Sequence, residues 1–97
     1  MSTDLHAAAA VGLLDRPLEL DPQVALRPEP FGALAYHYGT RRLVFLKHAD
    51  VVEVVRCLAD HATPRAALEA CGIAGARWPS FERALASLVD AEVLRER

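Results

Sequence analysis

The side chains that could act as metal ligands, bases or nucleophiles are few: His6, His37, His48 and His61, Cys57 and Cys71, and Ser2, Ser80 and Ser87. A helical metal site wants a second histidine or cysteine three or four positions away. Only Cys57 and His61 have that spacing, and His61 falls in a turn after the first predicted helix. A surface turn histidine accounts for it. Nucleophilic catalysis needs a nucleophile, a base and an orienting group. Ser2 lies in an N-terminal tail, Ser80 sits at a helix start where capping explains it, and Ser87 is inside a helix. Gly72-Ile73-Ala74-Gly75 lacks the preceding strand and the following lysine of a phosphate loop. The carboxylates are spread over helix faces. Each catalytic class lacks a part, so the residues point to a binding module and not to an enzyme.

The bulk properties narrow the class of partner. The chain has 97 residues, enough for one domain. Its net charge is −2 and its pI about 6.0, whereas a chain devoted to nucleic acid is usually basic. No nucleic-acid partner is expected. Two cysteines are too few for a disulfide framework, and both read as small buried hydrophobes. The apolar run Ala7–Leu14 is too short to span a bilayer. It also lacks a positive region before it, so a cytoplasmic protein with no membrane partner is expected.

The elements that must position any site follow from the pattern. Residues 1–17 read as a tail in which Ala7–Leu14 could form about two helical turns. Residues 18–97 form the domain. Gln23–Arg27, Phe31–Tyr38 and Leu43–Leu46 read as strands. Arg27-Pro28-Glu29-Pro30 makes one turn, and Tyr38-Gly39-Thr40-Arg41 another, with Gly39 suited to positive φ. A helix over Asp50–Ala59 puts Val51, Val54, Val55 and Leu58 on one stripe. Thr63 and Pro64 open a second helix that runs to Cys71, with Gly72 as its C′ residue. A third runs from Pro79 or Ser80 to Glu92 with Phe81, Leu85 and Leu88 in the core, and Val93 and Leu94 follow as a short apolar tail. The predicted class is α+β: a three-stranded antiparallel sheet, then three helices, resembling a helix-turn-helix with a sheet beside it.

Two segments stand out as a possible binding surface. Leu43-Val44-Phe45-Leu46 is apolar on both faces, where a half-buried strand should alternate. One face can pack on the helices; the other, or the open edge, needs cover from the tail, a second subunit or a ligand. Ser80, Ala84, Ser87 and Ala91 form a strip of small residues beside the core stripe of the third helix. That strip suits either close packing within the domain or close approach of a foreign backbone.

The stretch from Pro28 to Lys47, PEPFGALAYHYGTRRLVFLK, closely resembles the mycofactocin precursor peptide chaperones, stand-alone relatives of the pyrroloquinoline quinone peptide chaperones. The resemblance runs on through Thr63-Pro-Arg-Ala-Ala-Leu68 to Val93-Leu94. It implies a winged helix-turn-helix. It also implies that the leader of a precursor peptide adds as a strand to the third strand, against the third helix. Carried onto this chain, the peptide site is Arg42, Leu43, Val44, Phe45, Leu46 and Lys47, opposite Ser80, Arg83, Ala84 and Ser87. The resemblance further implies a partner enzyme, a radical S-adenosylmethionine maturase that works on a C-terminal Val-Tyr. That enzyme owns the iron–sulfur clusters, so this chain is expected to need no cofactor. Two other classes fit the same fold: a DNA-binding regulator and a ligand-free dimerisation module. Glu82, Arg83 and Asp90 with alanines between them make the third helix a poor reader of base edges.

Overall fold

The computed structural model describes residues 12–97. A 3₁₀ turn at Leu13–Asp15 leads into four strands: β1 (Leu18–Leu20), β2 (Val24–Glu29), β3 (Gly32–His37) and β4 (Leu43–Leu46). Three helices follow, α1 (Ala49–Cys57), α2 (Pro64–Ala70) and α3 (Trp78–Asp90), and then β5 (Leu94–Glu96). The α+β class and the order of three sheet strands before three helices agree with the sequence. None of the described helices is long and apolar enough to cross a membrane.

Strands β2, β3 and β4 form an antiparallel sheet with β3 in the centre. Alternation along β3 is strict: Ala33, Ala35 and His37 are buried, while Leu34 and Tyr36 are half-buried on the other face. The two small alanines let α1 lie close across this face. The first reversal is tighter than the expected Arg27–Pro30 turn. Strand β2 keeps its register through Pro28↔Ala33 and Glu29↔Gly32, so only Pro30 and Phe31 turn. Pro28 is tolerated because β2 is an edge strand. Gly32 has φ +148, and a Cβ there would lie 2.1 Å from the Leu46 carbonyl oxygen. Only glycine lets β3 start under the end of β4.

The second reversal also departs from expectation. Positive φ falls on Arg41 (64°) and not on Gly39. The buried His37 organises this loop. Its Nδ1 accepts the N–H of Gly39 (3.0 Å) and of Thr40 (3.1 Å). Its backbone closes the turn, with His37 N–H donating to Arg42 O (3.0 Å) and Arg41 N–H donating to His37 O (2.7 Å).

A small second sheet was not legible in the sequence. β1 pairs antiparallel with β5, Leu18 opposite Glu96 and Leu20 opposite Leu94. Val93 and Leu94, expected as an apolar tail, are core residues at 1% exposure each. Asp21 N–H donates to Val93 O (2.9 Å), which ties the start of β2 to the end of α3. Leu14 is buried, and Leu13–Asp15 packs against α2 and α3. The last residues of the expected tail are therefore part of the packing. The short helix expected over Ala7–Leu14 lies mostly outside the described residues.

In α1 the buried residues are Val52, Val54 and Val55, and Leu58 continues the stripe in the 3₁₀ turn that follows. Val51, expected in that stripe, is half-buried instead. Thr63 Oγ accepts the Ala66 N–H (3.2 Å), and Gly72 takes φ +71 after α2. Both helix signals act as their chemistry requires. Trp78 Nε1–H donates to Ile73 O (2.8 Å), anchoring the loop before α3. Phe81, Leu85 and Leu88 of α3 are buried as their spacing demands. Cys57 and Cys71 are half-buried. Burial, then the hydrogen bond with Cys57, pushes the Cys71 thiol up to about 11, so it stays protonated at neutral pH.

The β1–β5 pairing makes Leu94 a test of this packing. Leu94→Ala should lower the unfolding free energy by about 2–5 kcal/mol, read from urea denaturation. An unchanged midpoint would show that β5 is not part of the core.

Candidate functional site

The open edge of β4 is the first component of the site. β3 pairs with β4 through Tyr36↔Leu43, Ala35↔Val44, Leu34↔Phe45 and Ala33↔Leu46, and no described strand lies on the other side of β4. Hydrogen bonds alternate along an antiparallel pair. Because His37 N–H donates to Arg42 O, the peptide groups of Arg42, Val44 and Leu46 turn toward β3. Those of Leu43 and Phe45 turn to the open edge. The side chains alternate on the perpendicular axis. Leu46 is buried and Val44 half-buried against the core, while Leu43 and Phe45 stand out of the opposite face.

The second component is a cleft of about 360 Å³ that begins where β4 ends. His48, Asp50 and Val51 form one wall, and Arg77, Ser80, Phe81 and Ala84 of the α3 side form the other. Arg77 links the walls: its guanidinium donates to Asp50 Oδ2 (2.5 Å) and lies 5.1 Å from the centroid of the Phe81 ring. The Arg77 hydrogen bond holds the Asp50 carboxyl below its ordinary value of 3.8. The cleft thus offers a guanidinium, a carboxylate, an imidazole at His48 and an apolar floor.

The expected peptide-site residues divide by position. Ser80 and Ala84 line the cleft, and Arg83 donates to Ser80 Oγ (3.3 Å) at its rim. Ser87 is exposed one turn farther on, outside the cleft lining, and Ala91 of the small strip packs partly against the core. Leu43 and Phe45 supply the free backbone. Val44 and Leu46 are committed to the interior, so their side chains offer nothing to a ligand. Arg42 and Lys47 are exposed and make no ion pair among the described residues. The β4 side chains do not themselves line the cleft. Its wall on that side is His48 and the first turn of α1, which sequence reasoning missed along with Arg77 and Phe81. Arg77 and Ala84 are seven apart and share a helical face, which is the signal that was present.

Two measurements check this geometry. An NMR titration should place the Asp50 carboxyl midpoint below 3.8, so that the tie to Arg77 persists through mild acid and is lost only as pH falls through that depressed value. A midpoint at or above 3.8 would mean that the cleft walls are not linked. His37→Phe should orphan the N–H groups of Gly39 and Thr40 and cost about 1–3 kcal/mol in chemical denaturation. Unchanged stability would remove His37 as the organiser of the β3–β4 turn.

Comparison with known proteins agrees with the resemblance drawn from the β3–β4 segment. Peptide chaperone MftB of Mycolicibacterium smegmatis is 55% identical over 75 residues, 77% of this chain and 74% of the relative. Peptide chaperone MftB of Mycobacterium ulcerans is 47% identical over 91 residues, 92% of this chain and 84% of the relative. The protein of the same name from Mycobacterium tuberculosis is 45% identical over 83 residues, 86% of this chain and 76% of the relative. No solved structure matches the chain. The profile of the Peptide chaperone MftB family matches residues 17–95, a span from just before β1 into β5, and the chain belongs to that family.

Proposed function

We propose that this chain is a non-catalytic peptide chaperone of mycofactocin biosynthesis. It holds the leader of a ribosomally made precursor as an added strand on β4 and presents it to a radical S-adenosylmethionine maturase. The observation that carries this reading is the open edge of β4 running directly into the cleft beside α3. An extended peptide gains main-chain hydrogen bonds from Leu43 and Phe45 at the edge. Its alternate side chains then point toward the cleft side, where Ser80 and Ala84 keep the wall low and Arg77 and His48 supply polar contacts. Backbone pairing supplies affinity without regard to sequence, and the cleft supplies discrimination. The sheet and the α2–α3 pair correspond in this reading to the wing and the helix pair of a winged helix-turn-helix.

The exposed cations Arg41, Arg42 and Lys47 flank β4. Acidic residues in the leader should feel them at about 0.2–1 kcal/mol per exposed pair. Affinity should therefore weaken modestly as salt rises, by isothermal titration at stepped ionic strength. Binding that is indifferent to salt would assign recognition to the backbone and the apolar wall alone. Ala84→Trp is the sharper test. Ala84 is half-buried and lines the cleft, so the indole can project into open space. The variant should melt like the parent and bind a leader peptide at least about tenfold more weakly, a change of about 1.4 kcal/mol. Normal melting with normal binding would remove the cleft from the peptide site. Destabilisation by about 1–3 kcal/mol would show that Ala84 is packed inside the domain.

A further inference from the structure

The sheet has a second face, turned away from the helices and from the cleft. The large exposed hydrophobics among the described residues are Phe31, Tyr38, Leu43 and Phe45, and all four belong to this face. The register sets Leu43 opposite Tyr36 and Phe45 opposite Leu34, and β2 adds Ala25 and Arg27 opposite the same two β3 residues. Ring contacts bring in the two turns: Phe31 meets Phe45 edge-on at 5.8 Å, and Tyr38 meets Tyr36 edge-on at 5.1 Å. Phe31, Phe45 and Lys47 line an open hollow of about 250 Å³. The result is a continuous aromatic and aliphatic surface. Contiguous apolar surface of this kind on a small domain marks an interaction site.

We infer that this outer face of the β2–β3–β4 sheet is the surface that docks the peptide-modifying enzyme, and that the docked peptide completes it. This rests on the strand-addition reading above. A strand added to β4 places every second side chain on this same face, so the surface runs without a break from the chaperone onto its cargo. A partner seated there touches both at once, and the cargo is delivered at the rim of the contact. The chemistry of that partner follows from the rim. Arg41, Arg42 and Lys47 stand around β4 without a carboxylate among the described residues, while Arg27 is already paired with Glu29 (2.7 Å). The complementary surface is therefore an apolar patch edged with acidic residues.

The test measures binding of the purified maturase to the chain alone and to the chain saturated with precursor peptide. Loaded wild type should bind at least about tenfold more tightly than empty wild type. Phe31→Ser combined with Tyr38→Ser removes two exposed rings that lie off β4. This variant should keep precursor affinity within about twofold and lose maturase affinity by at least about tenfold. Ala25→Glu provides a second variant that removes no packing. It adds a negative charge to the exposed centre of the β2 side of the face, and it should show the same split even if the double variant does not fold. Wild-type binding of precursor together with unchanged maturase affinity in both variants overturns the outer-face assignment and leaves the peptide site standing. Failure of wild type to bind precursor overturns the peptide reading and the shared surface with it. Variant-sensitive binding to phosphatidylglycerol vesicles, or a variant-sensitive dimer in sedimentation, with maturase affinity unaffected, overturns the inference in favour of a membrane or a second copy.

Discussion

Strand β4 has a hydrogen-bonding neighbour on one side only, and the rest of the domain holds that strand in place while leaving its other side open. At one end, Gly32 permits β3 to begin beneath the Leu46 carbonyl at a distance no side chain would allow. At the other end, His37 collects the polar groups of the β3–β4 turn. Between them, Val44 and Leu46 pin the strand to the core. An open edge is a hazard, since it templates pairing with any extended chain. Here the edge is four residues long and is flanked by Arg42 and Lys47. Short length and charge are the usual means of keeping such an edge from unwanted partners while leaving it usable by a suitable one.

The alternation of a β-strand gives this edge two distinct faces. The inner side chains of β3 and β4 meet α1, and the start of α1 forms a cleft with α3. The outer side chains are aromatic and aliphatic with a basic rim. A strand docked on β4 belongs to both environments in alternate residues. On the strand-addition reading, a peptide would be gripped from one side of the sheet and displayed from the other.

Much of this was legible in the sequence. Leu43-Val44-Phe45-Leu46 announced the edge by being apolar at every position, and Thr63-Pro64 and Gly72 bounded α2 through their own chemistry. Ser80 and Ala84 were placed on the cleft side by helical spacing. What escaped did so for physical reasons. β1 and β5 are three residues each and pair across nearly the whole chain, so no local period reveals them. Val51, Val52, Val54 and Val55 satisfy a helical stripe in more than one way, and the fold buries Val52 where the spacing alone favoured Val51. The far wall of the cleft is His48 and the start of α1, whose role depends on where α3 comes to rest. Nothing in the spacing of His37 along its strand tells that its imidazole serves the next turn.

Amide hydrogen exchange on the chain with and without a precursor leader tests the central claim most directly. Leu43 and Phe45 direct their N–H groups to the free edge, and Val44 and Leu46 already pair with β3. Addition of the leader should slow exchange at Leu43 and Phe45 by at least about tenfold, with little change at the β2 edge. Slowed exchange at β2 or α1, with Leu43 and Phe45 unaffected, would contradict strand addition to β4.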